Sequence, residues 1–291
     1  MLLGYTCVTV IFQHKVTISN YPDLALWFIN QKTKKMSKLK NKVAVITGGN
    51  SGIGFGIAEA FKNEGAVGAI AGRNEATLNS AVETLGSNFI GVKGDVTDLD
   101  HLEHLFRTTA DKFGKIDALV VNAGGVVDGV PLMAITDVTE EGYDRYMDLN
   151  LKSAYFTVQR SLPYLNDGAS IILIASNNAH RASPGTTIYA AAKAAVISLA
   201  RGLSLDLLSR NIRVNTISPG SIDTPVIGKM VPHELVDQVK QIFIGLTPLG
   251  RQGTPAEIGK TAVFLASDDS TFIVGTDILA DGGMANTFSV K

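Results

Sequence analysis

Cysteine is almost absent from the sequence: of 291 residues, only Cys7 is one. That excludes an internal disulfide and any cysteine-rich metal site, and no metal is expected. The chemistry points to a reducing compartment. An excess of either charge is also missing. Lys and Arg number 26 against 27 Asp and Glu, a net charge of −1. No basic field therefore attracts nucleic acid or an anionic membrane. The N-terminus carries no convincing targeting signal. Met1–Phe12 is apolar but too short to span a bilayer, and it has no basic leader or cleavage site. No arginine precedes Arg73, which argues against a mitochondrial transit peptide. A cytoplasmic location is the resulting expectation. Internal repeats and low-complexity linkers are missing as well.

The length of 291 residues suits one large α/β domain. With 45% hydrophobic residues, 18% charged residues and 29 glycines, the composition fits a sheet covered on both faces. The first part of the chain reads differently. Lys32 to Lys42 is lysine-rich, and Met36 stands just before Ser37-Lys38-Leu39-Lys40-Asn41-Lys42, a lead into the first strand. Residues 1–36 are expected to be an extension outside the fold, from an upstream start codon. The competing reading is an anchor or partner-binding arm. Residues 37–291 form the expected catalytic domain.

Val43-Ala44-Val45-Ile46-Thr47 is a short β-branched run that enters Gly48-Gly49-Asn50-Ser51-Gly52-Ile53-Gly54, and a helix pattern follows. Strand, glycine turn and helix make the entry of a dinucleotide-binding βαβ unit. The glycines allow close backbone approach to a pyrophosphate, and the helix N-terminus offers it free N–H groups. Val67–Ala71 reads as the second strand. Where an acid would hold ribose hydroxyls, the sequence has Gly72-Arg73-Asn74. Gly72 leaves space there, and Arg73 can hold a 2′-phosphate through its planar donor fork. The alternative makes Arg73 a surface residue at the next helix. Asp95, before Val96 at the end of the strand Phe89–Val92, either reaches adenine or caps the following helix.

Ala118–Val121 reads as the fourth strand, followed by Asn122-Ala123-Gly124, where an amide can tie neighbouring strands. Thr139–Leu165 has a long helical pattern, with Asn150 in its middle marking exposure or a working irregularity. Ile171–Ala175 reads as a buried strand ending at Ser176. Tyr189 and Lys193, four apart at the start of a helix, share one face. The lysine charge should lower the tyrosine pKa and make it a usable proton donor and acceptor. Ile212–Ile217 leads to Ser218-Pro219-Gly220, with Ile222 and Thr224 beyond. Residues 226–247 form an amphipathic insertion, a candidate substrate lid. Ala256–Ala266 and Asp277–Ala280 close the chain as helix and strand. Alternating strands and helices predict a single Rossmann-type, doubly wound parallel sheet with helices on both faces.

Over about residues 41–285 the sequence resembles the classical short-chain dehydrogenase/reductase family. The motifs that carry this are Thr47-Gly48-x-x-x-Gly52-x-Gly54, Asn122-Ala123-Gly124, Asn150, Ser176, Tyr189-x-x-x-Lys193 and Pro219-Gly220 with Thr224. The resemblance implies a nicotinamide cofactor and a catalytic set of Asn150, Ser176, Tyr189 and Lys193. Tyr189 would protonate a carbonyl oxygen that Ser176 holds. Lys193 would tune the tyrosine and bind ribose, and Asn150 would hold a water that links Lys193 to solvent. It also places Gly48, Asn50, Ser51, Gly52, Ile53, Gly54, Arg73, Asp95, Val96, Asn122, Ala123, Gly124, Tyr189, Lys193, Pro219, Gly220, Ile222 and Thr224 around the cofactor. Because an acid is missing after the second strand, NADP(H) is expected over NAD(H). The substrate would be a small carbonyl compound or alcohol, and the assembly a homotetramer. A ketone reductase leads the alternatives. A glucose-type sugar dehydrogenase, a 3-oxoacyl thioester reductase and a non-catalytic dinucleotide sensor follow. Pro184-Gly185-Thr186-Thr187-Ile188 departs from the Asn- and Gln-bearing pattern of oxoacyl-carrier-protein reductases.

Overall fold

The computed structural model describes residues 37–287. The expected N-terminal extension, with Cys7 and Met36, lies outside the described residues. The chain enters the core at Leu39, which is fully buried and whose N–H donates to Glu64 O at 2.9 Å. Strands and helices then alternate: β1 (Val43–Thr47), α1 (Gly52–Asn63), β2 (Val67–Gly72), α2 (Glu75–Leu85), β3 (Phe89–Lys93), α3 (Leu99–Phe113) and β4 (Ile116–Val121). Next come α4 (Glu140–Met147), α5 (Ser153–Ser161), β5 (Leu165–Ile174), α6 (Thr187–Asp206) and β6 (Arg213–Pro219). The chain closes with α7 (Ile227–Met230), α8 (Val236–Leu246), α9 (Pro255–Ala266) and β7 (Asp277–Ala280).

The seven strands run in the order β3-β2-β1-β4-β5-β6-β7, and every pair is parallel. Strand side chains alternate between faces, and here both faces are apolar. Val43 and Val45 join α3, α5 and α6 through Leu105, Phe106, Val158 and Val196. Ala44 and Ile46 join α1, α2 and α9 through Ile57, Phe61, Leu78 and Ile258. This is the expected doubly wound sheet. Its strand order reverses between β1 and β4, so a crevice opens outside their carboxyl ends.

Three local expectations change. The pattern over Thr139–Leu165 is not one helix: α4 and α5 are joined by a π-helical turn over Asp148–Lys152 that contains Asn150. β5 begins at Leu165 rather than Ile171, because buried Leu165 already pairs with Ile116; the register then slips before Ser170 meets Ala118. The cap of α3 is Asp98, which accepts from Asp100 N and His101 N, whereas Asp95 turns to Thr97. That leaves Asp95 available to the crevice. Helix α6 is long and apolar enough to cross a membrane by composition. Its buried residues Val196, Ile197 and Ala200 pack on the sheet instead.

Candidate active site

A cleft of about 730 Å³ lies along the carboxyl ends of the strands. Every expected cofactor residue lines it except Gly54, and so do Ser176, Tyr189 and Lys193. Its floor is the glycine turn. Gly49 N donates to Ala71 O at 3.1 Å, which turns the chain sharply out of β1. No acid occupies the first turn of α1, so the positive helix end stays open to an anion. Gly54 sits just beneath: a Cβ there would lie 2.2 Å from Gly48 O and 2.5 Å from Asn122 Nδ2. Asn122 explains this tightness. Its Nδ2 donates to Thr47 O and Gly48 O at 3.0 and 3.1 Å, so it ties the end of β4 to the turn after β1. A glycine cradle, an open helix N-terminus and this volume fit a dinucleotide.

At the adenosine end, Arg73 Nη2 meets Asp128 Oδ2 at 2.8 Å, and Nη1 lies 3.9 Å from Asp95 Oδ2. Gly72 does not face open space, as the sequence suggested. A Cβ on Gly72 would lie 2.5 Å from Asn50 Oδ1, while Asn50 Nδ2 donates to Thr77 Oγ1 at 2.7 Å. The Asn50 side chain takes the place an acid would use.

At the other end, Ser176 ends the run from β5, and Tyr189 and Lys193 rise from the first turns of α6. Lys193 is buried, and its Nζ donates to Ile174 O at 2.9 Å. Burial in this apolar wall holds its pKa down at about 8. The expected fall of the Tyr189 pKa does not occur. Burial raises it, the hydrogen bond with Ser176 opposes that rise, and the Tyr146 phenol adds to it. Lys193 Nζ is 5.9 Å from the ring centre, and its charge does not offset the desolvation of a phenolate. Tyr189 therefore keeps its proton at neutral pH.

Asn150 stands one layer behind. Its Oδ1 accepts from Gly125 N at 2.7 Å, and its Nδ2 donates to Gly125 O and Tyr146 O at 3.0 and 3.2 Å. The π turn aims this amide at the Gly124-Gly125 backbone. Gly124 has φ +153, and a Cβ on it would sit 3.0 Å from Asn150 Oδ1 and 3.2 Å from Lys193 Nζ. The side chain of Asn150 thus fixes the wall beside Lys193.

Comparison with known proteins agrees with this geometry. Residues 48–285 match the family described as Enoyl-(Acyl carrier protein) reductase. The "Oxidoreductase asL5" of Sarocladium schorii is 38% identical over 86% of this chain and 98% of its own length. The "3-oxoacyl-[acyl-carrier-protein] reductase FabG" of Chlamydia muridarum is 40% identical over 86% of this chain and 99% of its own. A Brucella melitensis structure titled a short-chain dehydrogenase/reductase, "Glucose/ribitol dehydrogenase", superposes with TM-score 0.79 at 31% identity, covering 86% of this chain and 99% of the other. The chain belongs to the classical short-chain dehydrogenase/reductase family. It is an NAD(P)-dependent oxidoreductase that acts on carbonyl or CH–OH groups of small molecules.

As a short-chain dehydrogenase/reductase, the chain shows cleft residues that the sequence did not single out. Asp128 is the main one: it reaches Arg73 from a loop more than fifty residues away, and no local pattern marks it. Val126 and Leu149 line the cleft as plain apolar residues.

The buried lysine makes a stability prediction. Unfolded, Lys193 holds its proton to its ordinary value of 10.5; folded, only to about 8. Between these values the unfolded state binds more protons, so stability rises with pH. Above about pH 10 the raised Tyr189 pKa works the other way. At about 1.4 kcal/mol per pH unit, the lysine contributes an expected rise of roughly 3 kcal/mol. Urea unfolding of the cofactor-free protein should show it from about pH 8 to about pH 10, and Lys193→Met should flatten it. Equal slopes for the two proteins would contradict the assignment.

Proposed function

We propose that this short-chain dehydrogenase/reductase is an NADP(H)-dependent enzyme that interconverts an apolar ketone and its secondary alcohol. The observation that carries the reading is that Ser176, Tyr189 and buried Lys193 line one cleft together with the glycine turn. A bound nicotinamide would supply or accept the hydride. Ser176 holds the carbonyl oxygen and Tyr189 gives it a proton. Lys193 stands over the ring to hold ribose hydroxyls and stabilise the phenolate that forms, and Asn150 keeps the adjoining wall in register and connects Lys193 to solvent. Gly48, Asn50, Ser51, Gly52, Ile53 and Gly54 cradle the pyrophosphate. Asp95 and Val96 flank adenine, and Asn122, Ala123, Gly124, Pro219, Gly220, Ile222 and Thr224 line the path to the nicotinamide.

The ketone reading draws support from the segment that begins at the cleft-lining residue Val226. Val226, Leu235, Ile242 and Leu246, on and around α7 and α8, are large apolar side chains left exposed, which suits an apolar substrate better than a sugar. A 3-oxoacyl thioester is the second reading, favoured by similarity to reductases so named. A non-catalytic sensor would not need Ser176, Tyr189 and Lys193 together. A homotetramer in the cytoplasm, with residues 1–36 outside the fold, completes the proposal.

The cofactor choice rests on Arg73. A 2′-phosphate must draw its guanidinium from Asp128 and gain a charge-assisted contact of roughly 1.5–3 kcal/mol. NADPH should then be preferred over NADH by about ten- to a hundredfold in kcat/KM, and Arg73→Ala should lose most of that ratio. A preference for NADH, or an unchanged ratio in the variant, would reduce Arg73 to a surface residue.

A further inference from the structure

His180 and Asp277 form a pair that the reaction described above does not use. Asp277 opens β7, and its carboxylate is nearly enclosed. It accepts from Thr216 Oγ1 at 2.5 Å, from Ser218 Oγ at 2.8 and 3.0 Å, and it meets His180 Nε2 at 2.8 Å. Thr216 and Ser218 belong to β6, where Ser218 immediately precedes the cleft residues Pro219 and Gly220. His180 belongs to neither strand. It closes the short turn that begins at Ser176, donating its own N–H to Asn177 O at 2.9 Å. Within that turn Ala179 N donates to Ser176 O at 3.0 Å, and Asn178 N donates to Ser176 Oγ at 3.2 Å.

Ser, His and Asp in contact invite a hydrolytic reading, but the geometry denies it. Ser218 donates to the same carboxylate that His180 meets, and His180 Nε2 is 3.4 Å from Ser218 Oγ. Nε2 is therefore engaged with Asp277 and is not free to act as a base on Ser218. The arrangement is a strut. One buried carboxylate ties the Ser176 turn to the end of β6, so the hydroxyl that meets the substrate and the loop that lines the cofactor path share an anchor.

We propose that His180, held by Asp277, is a positioning residue for Ser176. The proposal rests on the reading that Ser176 holds the carbonyl oxygen. Arg181 Nη1 donates to Met284 O at 3.0 Å, so the turn stays attached when His180 is altered. The change is then a loosening of Ser176, not loss of the turn. Small misplacements of an orienting group are expensive in rate.

The test compares His180→Ala, His180→Gln and Ser176→Ala in the full chain, reading kcat for carbonyl reduction, the Kd for NADPH and the melting temperature. His180→Ala should lower kcat about tenfold, the equivalent of one lost hydrogen bond to a charged group, with the NADPH Kd unchanged. His180→Gln, whose amide N–H can reach the carboxylate as Nε2 does, should recover most of the loss. Should the alanine variant fold poorly, His180→Asn, too short to reach Asp277, replaces it with the same expectation. A folded His180→Ala protein with unaltered kcat, or a glutamine variant as slow as alanine, overturns the proposal while Ser176→Ala remains impaired. Full turnover in Ser176→Ala would overturn the underlying reading of Ser176, and this proposal with it.

Discussion

Tyr189→Phe is expected to lower the turnover number by at least roughly 10²–10⁴, the range general acid catalysis contributes. The ring and its place in the cleft lining remain; only the hydroxyl proposed to carry the proton is removed. Because burial raises the Tyr189 pKa, the unmodified phenol is protonated throughout the neutral range. Reduction should therefore not weaken as pH rises from about 6 to about 8 through loss of this proton. Cofactor binding should be nearly unchanged in the variant, since the proposed ribose contact is that of Lys193. The check is the steady-state rate and the NADPH titration on the same preparation. Near-normal turnover in Tyr189→Phe would remove the proton-donor role from Tyr189.

Gly54→Ala should abolish useful cofactor binding. Its Cβ would stand 2.2 Å from Gly48 O, and the 2.5 Å approach to Asn122 Nδ2 blocks any shift towards β4. The helix start must move away from the turn. Overpacking of this kind costs about 1–3 kcal/mol or more, and with backbone as the obstacle the upper end applies. That equals about a hundredfold in NADPH affinity. Gly202→Ala is the control, because a Cβ on Gly202 meets nothing within 4 Å. Nicotinamide fluorescence titration of both variants decides the matter: an alanine at 54 that binds NADPH like the unmodified chain would mean the turn does not hold the pyrophosphate.

These two positions also show what the sequence can and cannot carry. Gly54 was legible because a glycine turn between a β-branched strand and a helix has one physical use. Strands β1 and β7 appear in the structure over the residues expected, since their boundaries are marked locally by Gly, Asn and the apolar pattern. The sign of the Tyr189 pKa shift was not legible: the spacing to Lys193 is local, but the desolvation that outweighs it comes from the folded wall. Gly72 was misjudged for a similar reason. Its neighbour Asn50 arrives from the preceding turn and fills the space that a missing side chain leaves. Asn150 was marked by its poor helix propensity, yet the π turn that aims it at Gly125 depends on how α4 and α5 meet the sheet. Asp128 and Asp277 bear no local mark at all, because their partners are supplied by distant segments.

The central claim is that this cleft delivers hydride to a carbonyl carbon while Tyr189 supplies the proton. The most direct test uses NADPH deuterated at the transferable position of the nicotinamide, with a ketone or 3-oxoacyl thioester as acceptor and mass spectrometry of the product. A carbonyl reductase places the deuterium on the carbinol carbon of the alcohol, and Tyr189→Phe slows its appearance. An alcohol without the label, or label appearing only on a carbon of a reduced carbon–carbon double bond when an enoyl thioester is offered, would contradict the account.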